Sequence, residues 1–200
     1  MNKYSRFSII FFISVVLDQA SKIWIENYFK CPSIPSIREA YQTGKLQPIP
    51  EIQIIDGFFS LAHAHNQGAA IGIMQGQMLI FAVFTIIAIG WIGYTLYEIE
   101  EDDHFLNLTL ALIGSGAIGN AIDRFRLGYV IDFLRAYTEN PKYASWLHDK
   151  FGTAEWPSFN VADAAIVVGM IMFLLHGIFL AKDTKELDES LDVPEISKGD

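Results

Sequence analysis

The 200-residue chain has one cysteine, Cys31, and only 14 lysines and arginines against 23 aspartates and glutamates. One thiol forms no intrachain disulfide and supplies no multi-cysteine metal site. Tyr28, Phe29 and Lys30 precede it, without the small residue expected before a lipid-modified cysteine, so Cys31 reads as an ordinary loop residue. The net charge of -9 argues against a nucleic-acid partner, and much of the acid lies in residues 98–103 and after Asp183, which read as solvated segments. Polar residues are also too few for a soluble protein of this size: at 52% hydrophobic content, the apolar excess must face lipid.

What is present is a set of four apolar stretches, predicting spanning helices at about 5–25, 78–97, 105–122 and 161–181. The first is interrupted by Asp18 and Gln19 but resumes with Ala20, Ile23, Trp24 and Ile25. No small-x-small cleavage site follows it, so it reads as a retained helix with a buried polar patch. The fold class is therefore an all-α integral membrane protein of four transmembrane helices, one embedded domain over residues 1–182 and a polar, mobile tail over 183–200. Even helix number puts both termini on one side and the two long loops on the other. Basic residues do not orient the bundle, since Lys3, Arg6, Lys182, Lys185 and Lys198 oppose Lys30, Arg38, Lys45, Arg126, Arg135, Lys142 and Lys150.

The first long loop opens with Pro32, Pro35, Pro48 and Pro50, then alternates apolar and polar residues around Asp56-Gly57, predicting a small β-hairpin. Residues 137–157 mix Tyr137, Tyr143, Trp146 and Trp156 with Lys142, His148 and Lys150, a composition suited to the bilayer interface.

Ionisable groups in or beside spanning helices are costly, so each marks a candidate site. Asp18 and Lys22, four apart on one helix face, suit a structural ion pair. Asn66-Gln67-Gly68-Ala69-Ala70 leads into the second helix, with small residues that allow close backbone approach. Gly114, Gly116 and Gly119 smooth one face of the third helix, and Asn120-Ala121-Ile122-Asp123-Arg124 follows at its end. Asp132 lies among Val130, Ile131, Phe133 and Leu134, where desolvation would raise its pKa and prepare a general acid. Asn160 and Asp163 open the fourth helix as ordinary capping residues, and the same terminus favours an ionised carboxylate, as a general base requires.

Depth separates the competing chemistries. Ser115 and His176 would lie roughly 10 Å and 22 Å from the same face at 1.5 Å per residue, too far apart for a nucleophile and base. Ser21 and Lys22 diverge on their helix. His63 and His65 share a strand face but lack an apparent third metal ligand. Asp123, Asp132 and Asp163 instead fall at one membrane face, where two carboxylates sharing a proton could activate water. A small ion- or proton-coupled transporter is the alternative, although it needs polar groups through the full membrane thickness. A non-catalytic assembly factor would leave the three aspartates unexplained.

Five blocks, Asp18 to Lys22, Asn66 to Ala70, Gly119 to Arg124, Val130 to Phe133 and Phe159 to Asp163, resemble in order those of bacterial lipoprotein signal peptidases, the signal peptidase II aspartyl peptidases. The resemblance covers Asp18 to about Leu180. It implies a multi-pass enzyme of the cytoplasmic (inner) membrane with cytoplasmic termini and an active site near the periplasmic face. The implied substrate is a diacylglyceryl-modified prolipoprotein cut before its lipidated cysteine, with no metal or cofactor, membrane lipids as surroundings and globomycin as an inhibitor. Asp132 and Asp163 would be the catalytic pair, with Asp123 a rival, although Arg124 is positioned to neutralise it. Asn66, Asn120, Arg124 and Asn160 would hold substrate, and Asp18, Lys22 and Asp123 would support the site. Ile71 replaces the family's usual aromatic residue, and the stretch from Asp132 to Asp163 is longer than usual.

Overall fold

The computed structural model describes residues 1–29, 51–66, 68 and 78–191, with side chains through residue 179. Expectations for Cys31, the proline-rich start of the first loop, Ile71 and the last nine residues lie outside the described residues. In chain order the elements are α1 (Lys3–Phe29), β1 (Glu51–Ile55), β2 (Phe59–Asn66), α2 (Met78–Glu98), α3 (His104–Leu127), β3 (Val130–Ala136), α4 (Pro141–Phe151) and α5 (Val161–Leu191).

Four helices are long and apolar enough to cross a membrane: Lys3–Phe29, Met78–Glu98, His104–Leu127 and Val161–Phe179. In the most apolar stretch of α3, 61% of residues are buried, against 11–17% in the others, so α3 is the hub and its neighbours turn apolar faces outward. It packs against α1, α2 and α5. Glycine permits the closest crossings. A methyl at Gly119 would sit 2.5 Å from Asp18 Oδ2, and one at Gly116 would overlap the Ala162 carbonyl oxygen.

One end of the bundle is locked by Lys3. Its ammonium donates to the carbonyls of Tyr97 (2.7 Å) and Ile99 (2.6 Å), satisfying acceptors at the end of α2. Asn107 donates to the Lys3 carbonyl at 2.9 Å, and Glu101 accepts from the Lys3 amide at 2.8 Å. Asp103 caps α3 by accepting from Leu106 N and pairs with His176 at 2.9 Å. The 98–103 connection, expected to be merely solvated, thus contributes two carboxylates to this lock. Ser115 donates to the Leu112 carbonyl, so it and His176 do not meet.

At the other end, β1 and β2 form the expected hairpin, turning at Gly57 with a positive φ of 66°. A third strand, β3, pairs antiparallel with β2. It follows directly on α3, which extends beyond the expected end near residue 122 and stops at Gly128 (φ 80°), whose N–H donates to the Arg124 carbonyl. Asp123 and Arg124 therefore belong to the helix itself. Ile131 and Phe133 pack with Ile25 of α1, so strand alternation sends Asp132 to the opposite face. Residues 137–157 contain α4, capped by Asn140 and ended by Gly152, a helix that the mixed composition does not predict. Helix α5 runs to Leu191, so residues 183–191 of the expected polar tail continue it.

Candidate active site

The site is built from a capping motif and a strand. Asn160 and Asp163 bond reciprocally: Asp163 N donates to Asn160 Oδ1 at 2.9 Å, and Asn160 N donates to Asp163 Oδ2 at 3.1 Å. This satisfies amides at the α5 N-terminus and fixes the Asp163 carboxyl. Asn160 is buried, and its Nδ2 donates to Asp132 Oδ1 at 2.8 Å and to Asn120 Oδ1 at 3.1 Å. Asn120 Nδ2 in turn donates to Asp163 Oδ1 at 2.8 Å. Asn66, at the end of β2, donates to Asp132 Oδ2 at 2.9 Å. Asp132 and Asp163 are thus joined through Asn160 and Asn120, and every one of their four carboxyl oxygens accepts a hydrogen bond.

The two carboxyls differ in access. Asp132 is 2% exposed, whereas Asp163 is half-buried. Burial, and then the negative charge of Asp163, push the Asp132 pKa up to about 7, against the opposing pull of the bonds from Asn66 and Asn160. Asp132 is therefore able to carry a proton near neutrality, as a general acid must.

Behind this pair lies a buried ion cluster. Lys22 Nζ is 3.0 Å from Asp18 Oδ2 and 3.1 Å from Asp123 Oδ2, and it also donates to Asn120 Oδ1 at 3.1 Å. The expected Asp18–Lys22 pair is present, but Lys22 rather than Arg124 is the counter-ion of Asp123. The reason is helical direction: Arg124 turns away from its neighbour, donates to the Gly68 carbonyl at 3.3 Å and covers the Phe81 ring at 4.1 Å. Asp18 Oδ1 accepts from Ala162 N at 3.0 Å, and Asp123 Oδ2 accepts from Ile131 N at 3.1 Å. Each cluster carboxylate therefore holds the backbone amide immediately before one of the paired aspartates. Gln19, which sequence reasoning did not select, donates to Asp18, Asp123 and the Gly119 carbonyl. Its sequence signals are that it interrupts the first apolar run beside Asp18 and lies inside the Asp18 to Lys22 block.

His63 and His65 do share a face, with ring centroids 4.8 Å apart, and His65 stacks on Tyr129. Burial, followed by repulsion from His65, lowers the His63 pKa to about 4. Among the described residues no group of three or more His, Cys, Asp or Glu side chains is arranged to hold a metal. Among the described residues, Thr109 and Ser115 of α3 donate to the Phe105 and Leu112 carbonyls of their own helix, so these hydroxyls are spent locally rather than strung into an ion path. Along α2, Thr85 spends its hydroxyl on the Phe81 carbonyl.

A family model described as signal peptidase (SPase) II matches residues 10–179. The lipoprotein signal peptidase of Geobacter sulfurreducens is 36% identical over 178 residues, covering 88% of this chain and 92% of that protein. That of Bacillus pumilus is 35% identical over 179 residues, covering 89% and 96% respectively. Among solved structures, a bacterial membrane enzyme determined by the in meso method at 2.3 Å superposes with a TM-score of 0.66 and 26% identity, covering 93% of this chain and 95% of that one.

Proposed function

This chain belongs to the signal peptidase II family, and from that premise we propose that it is a membrane aspartyl endopeptidase that removes the signal peptide from diacylglyceryl-modified prolipoproteins, cutting before the lipidated cysteine. Asp132 and Asp163 are the catalytic pair in this reading. The observation that carries it is the geometry of the two: Asp132 buried, Asp163 more accessible, and both carboxyls held in one amide network.

The chemistry follows from that asymmetry. Asp163 takes a proton from water as the water oxygen bonds to the scissile carbonyl carbon, while Asp132 gives its proton to the carbonyl oxygen. The resulting diol collapses as its C–N bond breaks. Asp163 passes its proton to the leaving nitrogen, and Asp132 recovers one from the diol. Asn66, Asn120 and Asn160 orient the carboxyls in the resting enzyme; Asn160, 0% exposed with both amide hydrogens donated, acts through Asp132 and Asp163, and half-buried Asn66 is the amide best placed to meet the substrate backbone. Arg124, flanking the pair, meets substrate from the α2 side. Asp123 is a supporting residue, since Lys22 and Ile131 N occupy its carboxylate.

The protein sits in the bacterial inner membrane with both termini cytoplasmic, the site near the periplasmic face, lipids around its spans and globomycin as a competing ligand. The test is incubation of the purified protein with a lipidated prolipoprotein. Release of the signal peptide, blocked by globomycin and absent in Asp132→Asn and Asp163→Asn, is expected; turnover in either variant would refute the dyad.

A further inference from the structure

Helix α4 and the turn after it present an aromatic face that the other described residues leave bare. At 100° per residue, Tyr143, Trp146, Leu147 and Phe151 fall on one side, and Lys142, Ser145, His148 and Asp149 on the other. No residue of α4 is buried, and it makes no substantial packing contact with another described helix or strand. Tyr143 is 58%, Trp146 55%, Phe151 70% and the following Trp156 70% exposed. Contiguous exposed aromatic surface on a protein marks something that it binds.

We propose that this face is a lipid-docking surface, and that α4 lies in the headgroup and acyl boundary of the same bilayer that the four spans cross. Three observations select lipid as the occupant. The helix emerges at the sheet end of the bundle, the end at which Trp24 and Tyr28 of α1 are exposed as an aromatic pair with ring centroids 5.4 Å apart. Trp and Tyr concentrate at that level of a membrane because their rings are apolar and their N–H or O–H groups are polar. The chain carries a net charge of -9, yet α4 holds Lys142 and Lys150 against the single carboxylate of Asp149, an excess of the sign that anionic headgroups attract. Lys150 falls within the aromatic arc, where its four-carbon stem can cover apolar surface while the ammonium reaches the headgroups.

The placement has a consequence for the enzyme beyond the assigned dyad. The segment bearing α4 joins the strand of Asp132 to the helix of Asp163, and its two ends are pinned beside the sheet by the bridges Tyr137↔Glu155 and Leu134↔Phe159. Arg135 reinforces the pinning by bridging Glu51 at 2.7 Å and pairing with Glu155. An α4 seated in lipid therefore fixes the height of the catalytic sheet over the leaflet.

The test leaves Trp146 as the sole tryptophan, with Trp24, Trp91 and Trp156 replaced by phenylalanine. The protein is placed in phosphatidylcholine–phosphatidylglycerol vesicles whose acyl chains are brominated or not. Interfacial helices sit about 5–10 Å into the boundary, so the bromines should quench Trp146 roughly twofold, and Tyr143→Ser with Phe151→Ser should abolish that quenching. Emission quenched by aqueous iodide but not by bromolipid would overturn the proposal, and so would emission shielded from both, which would mean that protein covers the face. A nitroxide on Phe151→Cys, with Cys31→Ser and all four tryptophans retained, provides an independent reading. It should be more accessible to oxygen than to a water-soluble nickel chelate, and the reverse ratio would overturn the proposal.

Discussion

Replacing Lys22 with methionine keeps the length of the stem and removes the ammonium that Asp18, Asp123 and Asn120 share. Lys22, Asp18 and Asp123 are each only 1% exposed, so no solvent takes its place. Removing one partner of a buried ion pair costs about 3–5 kcal/mol, because the remaining charge stays desolvated. Here two carboxylates are left together. At about 2–4 °C per kcal/mol for a chain of this size, the thermal midpoint should fall by roughly 6–20 °C. The damage should also reach the dyad, since Asp18 and Asp123 hold the amides of Ala162 and Ile131, next to Asp163 and Asp132. Thermal unfolding in detergent, read beside prolipoprotein cleavage below the midpoint, measures both effects. The triple variant Lys22→Met, Asp18→Asn, Asp123→Asn should recover part of the stability, because it no longer buries unpaired charge. A Lys22→Met protein with unchanged midpoint and unchanged turnover would refute the reasoning.

Four further outcomes are expected. Asp132→Asn and Asp163→Asn should each lose cleavage by at least about a hundredfold, the lower range of a general acid or base contribution, while still accumulating in the membrane. Cleavage should decline on the alkaline side with a midpoint near pH 7, as Asp132 loses its proton. The same proton makes the folded form bind more protons than the unfolded chain between about pH 4 and 7, so stability should fall as pH rises through that window, and this slope should flatten in Asp132→Asn; equal slopes in melts from pH 4 to 8 would contradict it. Gly119→Ala would drive a methyl to 2.5 Å from Asp18 Oδ2 and should lower both the midpoint and the activity, whereas Gly90→Ala, with nothing within 4 Å, should change neither.

The parts of this molecule legible in its sequence are those set by local rules. Apolar run length predicted four spans, and four described helices are long and apolar enough to cross a membrane, because the bilayer imposes that length on any helix that crosses it. Asp18 with Lys22, Asn160 with Asp163, and Asp56-Gly57 could be read because helix periodicity, capping and turn geometry act over two to four residues. Strand β3 was hidden, since Val130 to Leu134 is an apolar run that fits a helix or a strand until β2 is placed beside it. The counter-ion of Asp123 was missed for a related reason. Arg124 is its neighbour in sequence, but adjacent residues diverge by about 100° on a helix, and the cation that meets Asp123 comes from α1, 101 positions away. Helix α4 has no packed side to impose a clean pattern within the protein, so Lys150 stands inside its aromatic arc.

The buried cluster and the dyad divide charge and proton between two tiers. Lys22 faces two carboxyls, so the lower tier shares a single ammonium between Asp18 and Asp123. Asn120 separates that tier from the upper one: its Oδ1 accepts from Lys22 and Asn160, and its Nδ2 donates to Asp163. The polarity of this amide is fixed by its neighbours, since an ammonium can only donate and a carboxylate accepts. A second full negative charge on buried Asp132 would be opposed by burial and by Asp163, and Lys22 only partly offsets them. A proton on Asp132 relieves that cost and leaves the more accessible Asp163 to face water. Asn120→Asp should therefore be more damaging than Asn120→Ala, because it places another carboxyl between the tiers where an amide had matched donor to acceptor. Its expected signature is loss of turnover together with an alkaline limb moved upward, as the added charge makes Asp132 hold its proton more tightly. Measuring the pH dependence of cleavage for both variants decides the point: an unmoved limb in an active, folded Asn120→Asp protein would show that the tiers are electrically independent.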